Sequence, residues 1–541
     1  MKKNSSIRAL ENKASKGDLE ALFQLGESYL QGKSVEIDTV ISSQYFDKFI
    51  EAFREPKLII SSLKIINFRG FIETEEIKLS GSKTIVFIGN NGAGKTALLD
   101  AIAKTLTWLR MYLVSHDGKG QEIDSLFDIN NSSAESYASI ICRFNLLNAT
   151  YNVELSKARD GSNVKRSGQI QKVKLLASFY KLARSRNPQF DFPILAYYAV
   201  DRTVDLKRRQ LIQASEIINP IMATQLSAYD NSLNGSADFK TFFQWFKDLD
   251  DIVNSENQLN QEVLVAIAKL EAELDSDLIR QMEQQAQLDE NTRKVLTNFK
   301  NTKQKEIDEL KSSFKKTVPV LAKKIIANVA NAIYQFLPEF SDLRIQRLPN
   351  LDLLVTKNEV PLSIHQLSHG EKTLLALISD IARRLVILNP SLSNPLLGNG
   401  IILIDEIELH LHPNWQRAVI GKLNKTFQNC QFILTTHSPI VISESCDLIC
   451  YSLENGVVQK LENLYGMDVN QVLLQEMDAD IRNAEIQSAF DNLRDKLQDG
   501  DVGSAKKLIA ELEQKIAIDH IELNKARLLI RRLEVQRAAD R

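Results

Sequence analysis

Gly89-Asn90-Asn91-Gly92-Ala93-Gly94-Lys95-Thr96 matches G-x-x-x-x-G-K-[ST] at every required position. The β-branched run Thr84–Ile88 before it reads as a strand, and residues 95 to 114 after it read as a helix, the context that a P-loop needs. Glycines there let backbone N–H groups wrap phosphates, and the helix N-terminus adds its positive end. Lys95 is expected to reach the β- and γ-phosphates and Thr96 to ligate Mg2+. ATP and Mg2+ are the expected ligands, with Gly89, Asn90, Asn91, Gly92, Ala93, Gly94, Lys95 and Thr96 lining the phosphate site. Farther along, Ile401-Ile402-Leu403-Ile404-Asp405-Glu406 is an apolar strand that delivers two carboxylates to its C-terminal end, where ligands sit in open parallel sheets. Asp405 is then expected to hold Mg2+, and Glu406 to orient or deprotonate the attacking water. The expected fold class is α/β.

Two further stretches carry a family resemblance. Leu367-Ser368-His369-Gly370-Glu371-Lys372 opens a helix and resembles the LSGGE signature of ABC-type ATPases, with His369 in place of the first glycine. The plainer reading is a Ser368 N-cap with Glu371 at the capping-box position. Thr435-Thr436-His437-Ser438-Pro439 follows an apolar strand and resembles the switch-histidine loop of that superfamily. The resemblance implies that Ser368 and Gly370 face a γ-phosphate across a head-to-head dimer and that His437 contacts the same phosphate. Asn67-Phe68-Arg69-Gly70-Phe71, together with Asp405-Glu406-Ile407-Glu408-Leu409-His410-Leu411-His412-Pro413, is similar to the SMC/RecF/OLD branch. Ala196-Tyr197-Tyr198-Ala199-Val200-Asp201-Arg202 and Phe239–Phe246 look like the PtuA family, the ATPases of Septu-type anti-phage defence that also accompany retrons. That likeness implies a homodimer or higher oligomer, an HNH nuclease partner of the PtuB kind, and a reverse transcriptase with its RNA-linked DNA. His369 leaves open whether hydrolysis is brisk or ATP acts as a clamp. A RecF- or Rad50-like ATPase of DNA repair or recombination is the alternative; a transporter engine fits poorly, because a long insert splits the head.

Around these motifs the chain divides by texture. Residues 14 to 53 resemble one Sel1-like repeat, and a single repeat cannot bury its own face, so it should dock elsewhere. We expect residues 1–55 as this helical segment, 56–205 as the N-terminal lobe of the head and 206–340 as a helical insertion. Residues 341–455 are then the C-terminal lobe and 456–541 a helical end. No glycine occurs between Gly235 and Gly370, and Leu264, Ile267, Leu270, Leu274 and Leu278 keep helical period, so the insert reads as a hairpin with arms of about 30 residues. The C-terminal rows Leu508, Leu512, Ile516 and Leu528, Leu529, Leu533 read as docking surface or homo-oligomer packing.

Composition sets outer limits. The 541 residues carry 67 Lys+Arg against 69 Asp+Glu, a net charge of −2, which excludes a globally basic nucleic-acid coat. Contact with nucleic acid would use local groups such as Lys165-Arg166, Lys207-Arg208-Arg209, Lys315-Lys316 and Lys323-Lys324. No apolar run approaches the roughly 20 residues of a membrane span, and Met1 to Ser6 lead into no apolar region, so a cytoplasmic location is expected. The four cysteines form no disulfide framework. Glu408, His410 and His412 alternate like metal ligands but belong to the loop expected to face the other head. Asp478-Ala479-Asp480 is similar to a Toprim D-x-D but has no strand-borne glutamate before it, so no nuclease activity is expected of this chain alone.

Overall fold

All five residues of Thr84–Ile88 are buried, as a β-branched strand covered on both faces must be. The computed structural model describes residues 5–115, 117–132, 136–163, 166, 168–200, 225–237, 239–254, 290–445, 447–462, 464–476 and 483–539. Helices α1 (Ser5–Ala14), α2 (Leu19–Gln31) and α3 (Thr39–Ala52) come first. Strands β1 (Leu58–Phe68), β2 (Phe71–Glu73), β3 (Ile77–Lys78) and β4 (Thr84–Ile88) lead into α4 (Lys95–Val114). Next are β5 (Tyr137–Leu146), β6 (Ala149–Ala158), α5 (Gln171–Arg186), β7 (Ile194–Tyr198), α6 (Phe239–Asn254) and α7 (Glu290–Phe336). The stretch up to residue 462 then holds β8 (Phe340–Gln346), β9 (Asp352–Lys357), β10 (Val360–Ser363), α8 (His369–Leu388), β11 (Asn399–Ile404) and α9 (Pro413–Thr426). It closes with β12 (Asn429–Thr436), α10 (Pro439–Ser443), β13 (Ile449–Glu454) and β14 (Val457–Leu461). Residues 1–462 form one compact unit and residues 463–541 another.

The central sheet runs β14-β13-β4-β12-β11-β7. β13, β4, β12, β11 and β7 are parallel, and β14 turns back on β13. This register puts the C-terminal ends of β4, β12 and β11 side by side, so Gly89, His437 and Asp405 emerge at one edge of the sheet. An antiparallel sheet, β2-β1-β5-β6 with β3 also on β1, packs beside it, and β10-β9-β8 form a third.

One buried amide joins the first two sheets. Gln431 on β12 is 3% exposed; its Oε1 accepts from the Ile60 N–H at 2.8 Å, and its Nε2 donates to the Ile60 and Leu79 carbonyls, each at 2.8 Å. A leucine there would strand a dry N–H and two dry carbonyls at about 1–3 kcal/mol per group. Gln431→Leu is therefore expected to cost about 3 kcal/mol or more of stability, read as a lower midpoint in denaturant unfolding; an unchanged midpoint would show that the clip is dispensable.

The N-terminal helices dock on the head. Gly26 on α2 lets α3 approach: a Cβ there would lie 2.4 Å from the Phe46 ring, and Ser42 Oγ donates to the Gly26 carbonyl at 2.7 Å. Phe23, Phe49 and Phe53 then surround Phe179 of α5 with centroid separations of 5.2, 5.1 and 6.0 Å. Lys172 pairs with Glu20 at 2.7 Å across the same seam.

Of the expected insertion 206–340, residues 225–237, 239–254 and 290–340 are described, and α7 is one helix of 47 residues, about 70 Å at 1.5 Å per residue, longer than the expected arm. Leu264–Leu278, expected as the first arm, lies outside the described residues, as do Asp201-Arg202, Lys207-Arg208-Arg209, Lys165, Cys446 and Asp478-Ala479-Asp480. In the second unit, α11 (Val469–Glu476) precedes α12 (Ala484–Gln498), α13 (Val502–Glu513) and α14 (Ile521–Ala539). Leu512 sits in the shared core of α12, α13 and α14, with Leu508, Ile516 and Leu533 packed against it. These rows therefore serve the unit's own interior, whereas Leu528 and Leu529 of α14 stay exposed. Among the described residues no helix is long and apolar enough to cross a membrane.

Candidate active site

The loop between β4 and α4 is shaped for close backbone approach. Gly89, Gly92 and Gly94 have φ of +152°, +82° and +101°, which side-chain-bearing residues rarely adopt. A Cβ on Gly89 would sit 2.4 Å from the Leu453 carbonyl oxygen, and one on Gly94 2.9 Å from the Phe71 ring. Lys95, 6% exposed, donates to the carbonyls of Gly89 at 2.9 Å and Asn90 at 3.1 Å, and its Nζ lies 3.3 Å from His437 Nδ1. Burial pulls this ammonium below the ordinary lysine range, while the carboxylates of Glu406, Asp405 and Glu408 oppose that shift. A buried cation facing three carboxylates suits an anionic ligand that brings its own cation.

Thr96 Oγ1 donates to Asp405 Oδ2 at 2.7 Å. The other oxygen of Asp405 accepts from Thr435 Oγ1, and the Asp405 N–H donates to the Tyr198 carbonyl at 2.8 Å. A hydroxyl and a carboxylate in direct contact, both hard oxygen donors, fit Mg2+. Glu406 takes φ of +45°, and its N–H donates to Thr435 Oγ1 at 2.8 Å. This left-handed residue ends the run of β11 and places Glu406 Oε1 3.6 Å from His437 Nε2. Lys95, Thr96, Asp405, Glu406 and His437, drawn from three loops, thus form one cluster.

Ser368 and Gly370 sit elsewhere in the chain. Ser368 caps α8 with a complete capping box: Glu371 N–H donates to Ser368 Oγ at 3.3 Å and Ser368 N–H to Glu371 Oε2 at 2.8 Å. Lys357 pairs with Glu371. A Cβ on Gly370 would lie 2.4 Å from the His410 carbonyl oxygen, and the rings of His369 and His410 meet edge to face at 4.3 Å. This helix end is therefore fitted to the loop that follows Glu406, and the capping reading of Ser368 and Glu371 describes its local chemistry.

Two groups in the cluster escaped sequence reasoning. Thr435 holds both Asp405 and the Glu406 N–H. Glu408, read there as part of a loop facing another head, accepts from Thr436 Oγ1 at 2.6 Å and from the His437 N–H at 2.5 Å, so it orients the histidine loop. Thr435 and Thr436 end the buried strand β12, and they meet Asp405 and Glu408 only through its pairing with β11. His412 caps α9 through its Nδ1, and no group of three or more His, Cys, Asp or Glu side chains among the described residues is arranged to hold a metal. Arg69, from the Asn67–Phe71 stretch, pairs with Asp100 at 2.5 Å and with Asp128 at 2.9 Å.

Comparison with known proteins finds similarity to ATPases. The AAA ATPase domain model matches residues 58–442. A retron Ec83 probable ATPase of Escherichia coli is 37% identical over 463 residues, covering 85% of this chain and 82% of that one. A retron Vc95 probable ATPase of Vibrio cholerae serotype O1 biovar El Tor is 34% identical over 439 residues, 80% of each chain. The Septu protein PtuA of Bacillus mycoides (strain KBAB4) is 34% identical over 116 residues, 20% of this chain and 16% of that one.

Proposed function

This chain belongs to the AAA ATPase domain family, and from that premise we propose that it is the ATP-hydrolysing subunit of an anti-phage defence assembly. Its own activity is that of an ATPase. Its nucleotide state would control a separate HNH nuclease of the PtuB kind, alongside a reverse transcriptase and its RNA-linked DNA. The observation that carries the reading is the convergence of Lys95, Thr96, Asp405, Glu406 and His437 at one sheet edge. It is supported by relatives named as retron ATPases over at least 80% of their length.

The roles we assign draw on these contacts. Lys95 exchanges its two loop carbonyls for the β- and γ-phosphates of ATP. Thr96 and Asp405 would hold Mg2+, which when bound neutralises phosphate charge. Glu406, displaced from the strand by its left-handed backbone, orients the attacking water and takes its proton at Oε1. His437 Nε2 lies 3.6 Å from the same oxygen and is assigned to contact the γ-phosphate, and Glu408 fixes its loop. Ser368 and Gly370 are assigned to the ATP of a second copy, which makes the site complete only in a dimer of heads. The Sel1-like reading of residues 14 to 53, local contact with nucleic acid and a cytoplasmic location belong to the same proposal. Cleavage of nucleic acid is assigned to the partner.

Lys95→Ala tests the core of this. The phosphates lose the buried ammonium, so turnover is expected to fall about 10²- to 10³-fold, nucleotide affinity to drop, and cells to lose protection in a plaque assay. Unchanged nucleotide affinity and turnover would overturn the assignment.

A further inference from the structure

Ala196-Tyr197-Tyr198-Ala199-Val200-Asp201-Arg202 has a place in the family resemblance but none yet in the chemistry. Its described part ends β7, the strand beside β11, in register with it: Tyr197 lies opposite Leu403 and Tyr198 opposite Ile404, the residue before Asp405. Successive side chains of a strand point to opposite faces, and here one face carries α4 and the other α8. Tyr197 OH donates to Asp100 Oδ1 of α4 at 2.8 Å, and α4 begins with Lys95 and Thr96. Tyr198 OH donates to Asp380 Oδ2 of α8 at 2.9 Å, and Ser368 caps α8. Between them, the Tyr198 carbonyl accepts the N–H of Asp405 at 2.8 Å. The tyrosines are 6% and 1% exposed. Burial, reinforced by the neighbouring carboxylates, raises both phenols above their ordinary range, so both hydroxyls remain donors.

We propose that Tyr197 and Tyr198 are positioning residues: a brace that locks the P-loop helix and the Ser368 helix to the strand flanking Asp405, so that hydrolysis depends on both hydroxyls although neither reaches the nucleotide. The inference rests on the ATPase assignment of Lys95, Asp405 and Glu406 above. Phenylalanine keeps the ring packing of each tyrosine and removes one hydrogen bond to a carboxylate. Because that bond positions groups used in turnover, its loss should fall on kcat and leave ground-state binding alone.

The test uses the full chain as parent, Tyr197→Phe, Tyr198→Phe and Lys95→Ala, with Asp100→Ala alone and combined with Tyr197→Phe. Steady-state kcat and KM, affinity for a fluorescent ATP analogue and melting temperature are measured on each. Each phenylalanine variant is expected to lose about tenfold in kcat, with KM and analogue affinity changed by less than about twofold. Tyr197→Phe is expected to cost nothing further in the Asp100→Ala background, since the two groups act through one bond. Unchanged kcat, a fall in kcat matched by analogue affinity or melting temperature, or additive losses in the double variant would overturn the brace. The Tyr197 arm decides the matter if Tyr198→Phe fails to fold. A parent that does not hydrolyse ATP, or that does so equally well with Lys95→Ala, refutes the ATPase assignment instead.

Discussion

Glu406→Gln is expected to bind ATP as the parent chain does and to hydrolyse it about 10²- to 10⁴-fold more slowly. The substitution keeps the side chain's shape and the φ of +45°, and it leaves the bond from the residue's N–H to Thr435 Oγ1 in place. It removes the basic oxygen that lies 3.6 Å from His437 Nε2. Because Thr96, Asp405 and Lys95 are untouched, ATP should stay trapped, and a dimer that needs intact ATP should accumulate. Single-turnover hydrolysis and size-exclusion chromatography with ATP measure the two effects. Hydrolysis at the parent rate would remove Glu406 from the role of general base and leave His437 or Glu408 to be tested in its place.

Asp380→Ala carries the largest expected loss of stability. The Asp380 carboxylate is fully buried on α8 and accepts from Arg383 Nη2, Arg384 Nε and Tyr198 OH, at 2.8, 2.8 and 2.9 Å. Arg384 also donates to the carbonyls of Ala228 and Asp230. Removing one member of a buried ionic group strands the others, which costs about 3–5 kcal/mol. Burial alone would raise the carboxyl of Asp380, but the two guanidiniums outweigh it and hold it below the ordinary range. The folded value is thus lower than the unfolded one. The stabilisation is complete at neutral pH and is lost only as pH falls below the ordinary 3.8 toward the folded value. Denaturant unfolding at pH 7 should show a clearly lower midpoint, and a difference smaller than that of an exposed Asp→Ala control would refute the buried-network account.

Strands with both faces covered announce themselves by unbroken apolar runs, so Thr84–Ile88 and Ile401–Ile404 were legible, as were the turn chemistry of residues 89–96 and the helix that follows it. Lys95, Thr96, Asp405, Glu406 and His437 were legible because each belongs to a local pattern. Thr435 and Glu408 were not: a threonine matters to Asp405 only because β12 lies beside β11 in register, and no local pattern encodes that. Helix α5 went unread, although Val173, Leu176, Ala177, Phe179, Tyr180 and Ala183 have helical spacing and are buried. Its polar residues Lys174, Lys181, Arg184 and Arg186 blurred the contrast. For Ser368, one short stretch supported both a helix cap and a nucleotide-facing signature; the cap is visible within one chain, whereas the signature reading needs a second copy.

The ring of Phe23, Phe49 and Phe53 around Phe179 bears on how such a chain can evolve. A segment that touches its neighbour through polar residues can be shed, swapped or duplicated freely. Here the opening helices supply the lid of the head's own interior, so Phe179 can change size only in step with three residues more than 125 positions away. Lineages of this chain should therefore inherit the two parts together, with variation at the seam appearing as matched exchanges and recombination breakpoints falling outside residues 20 to 190.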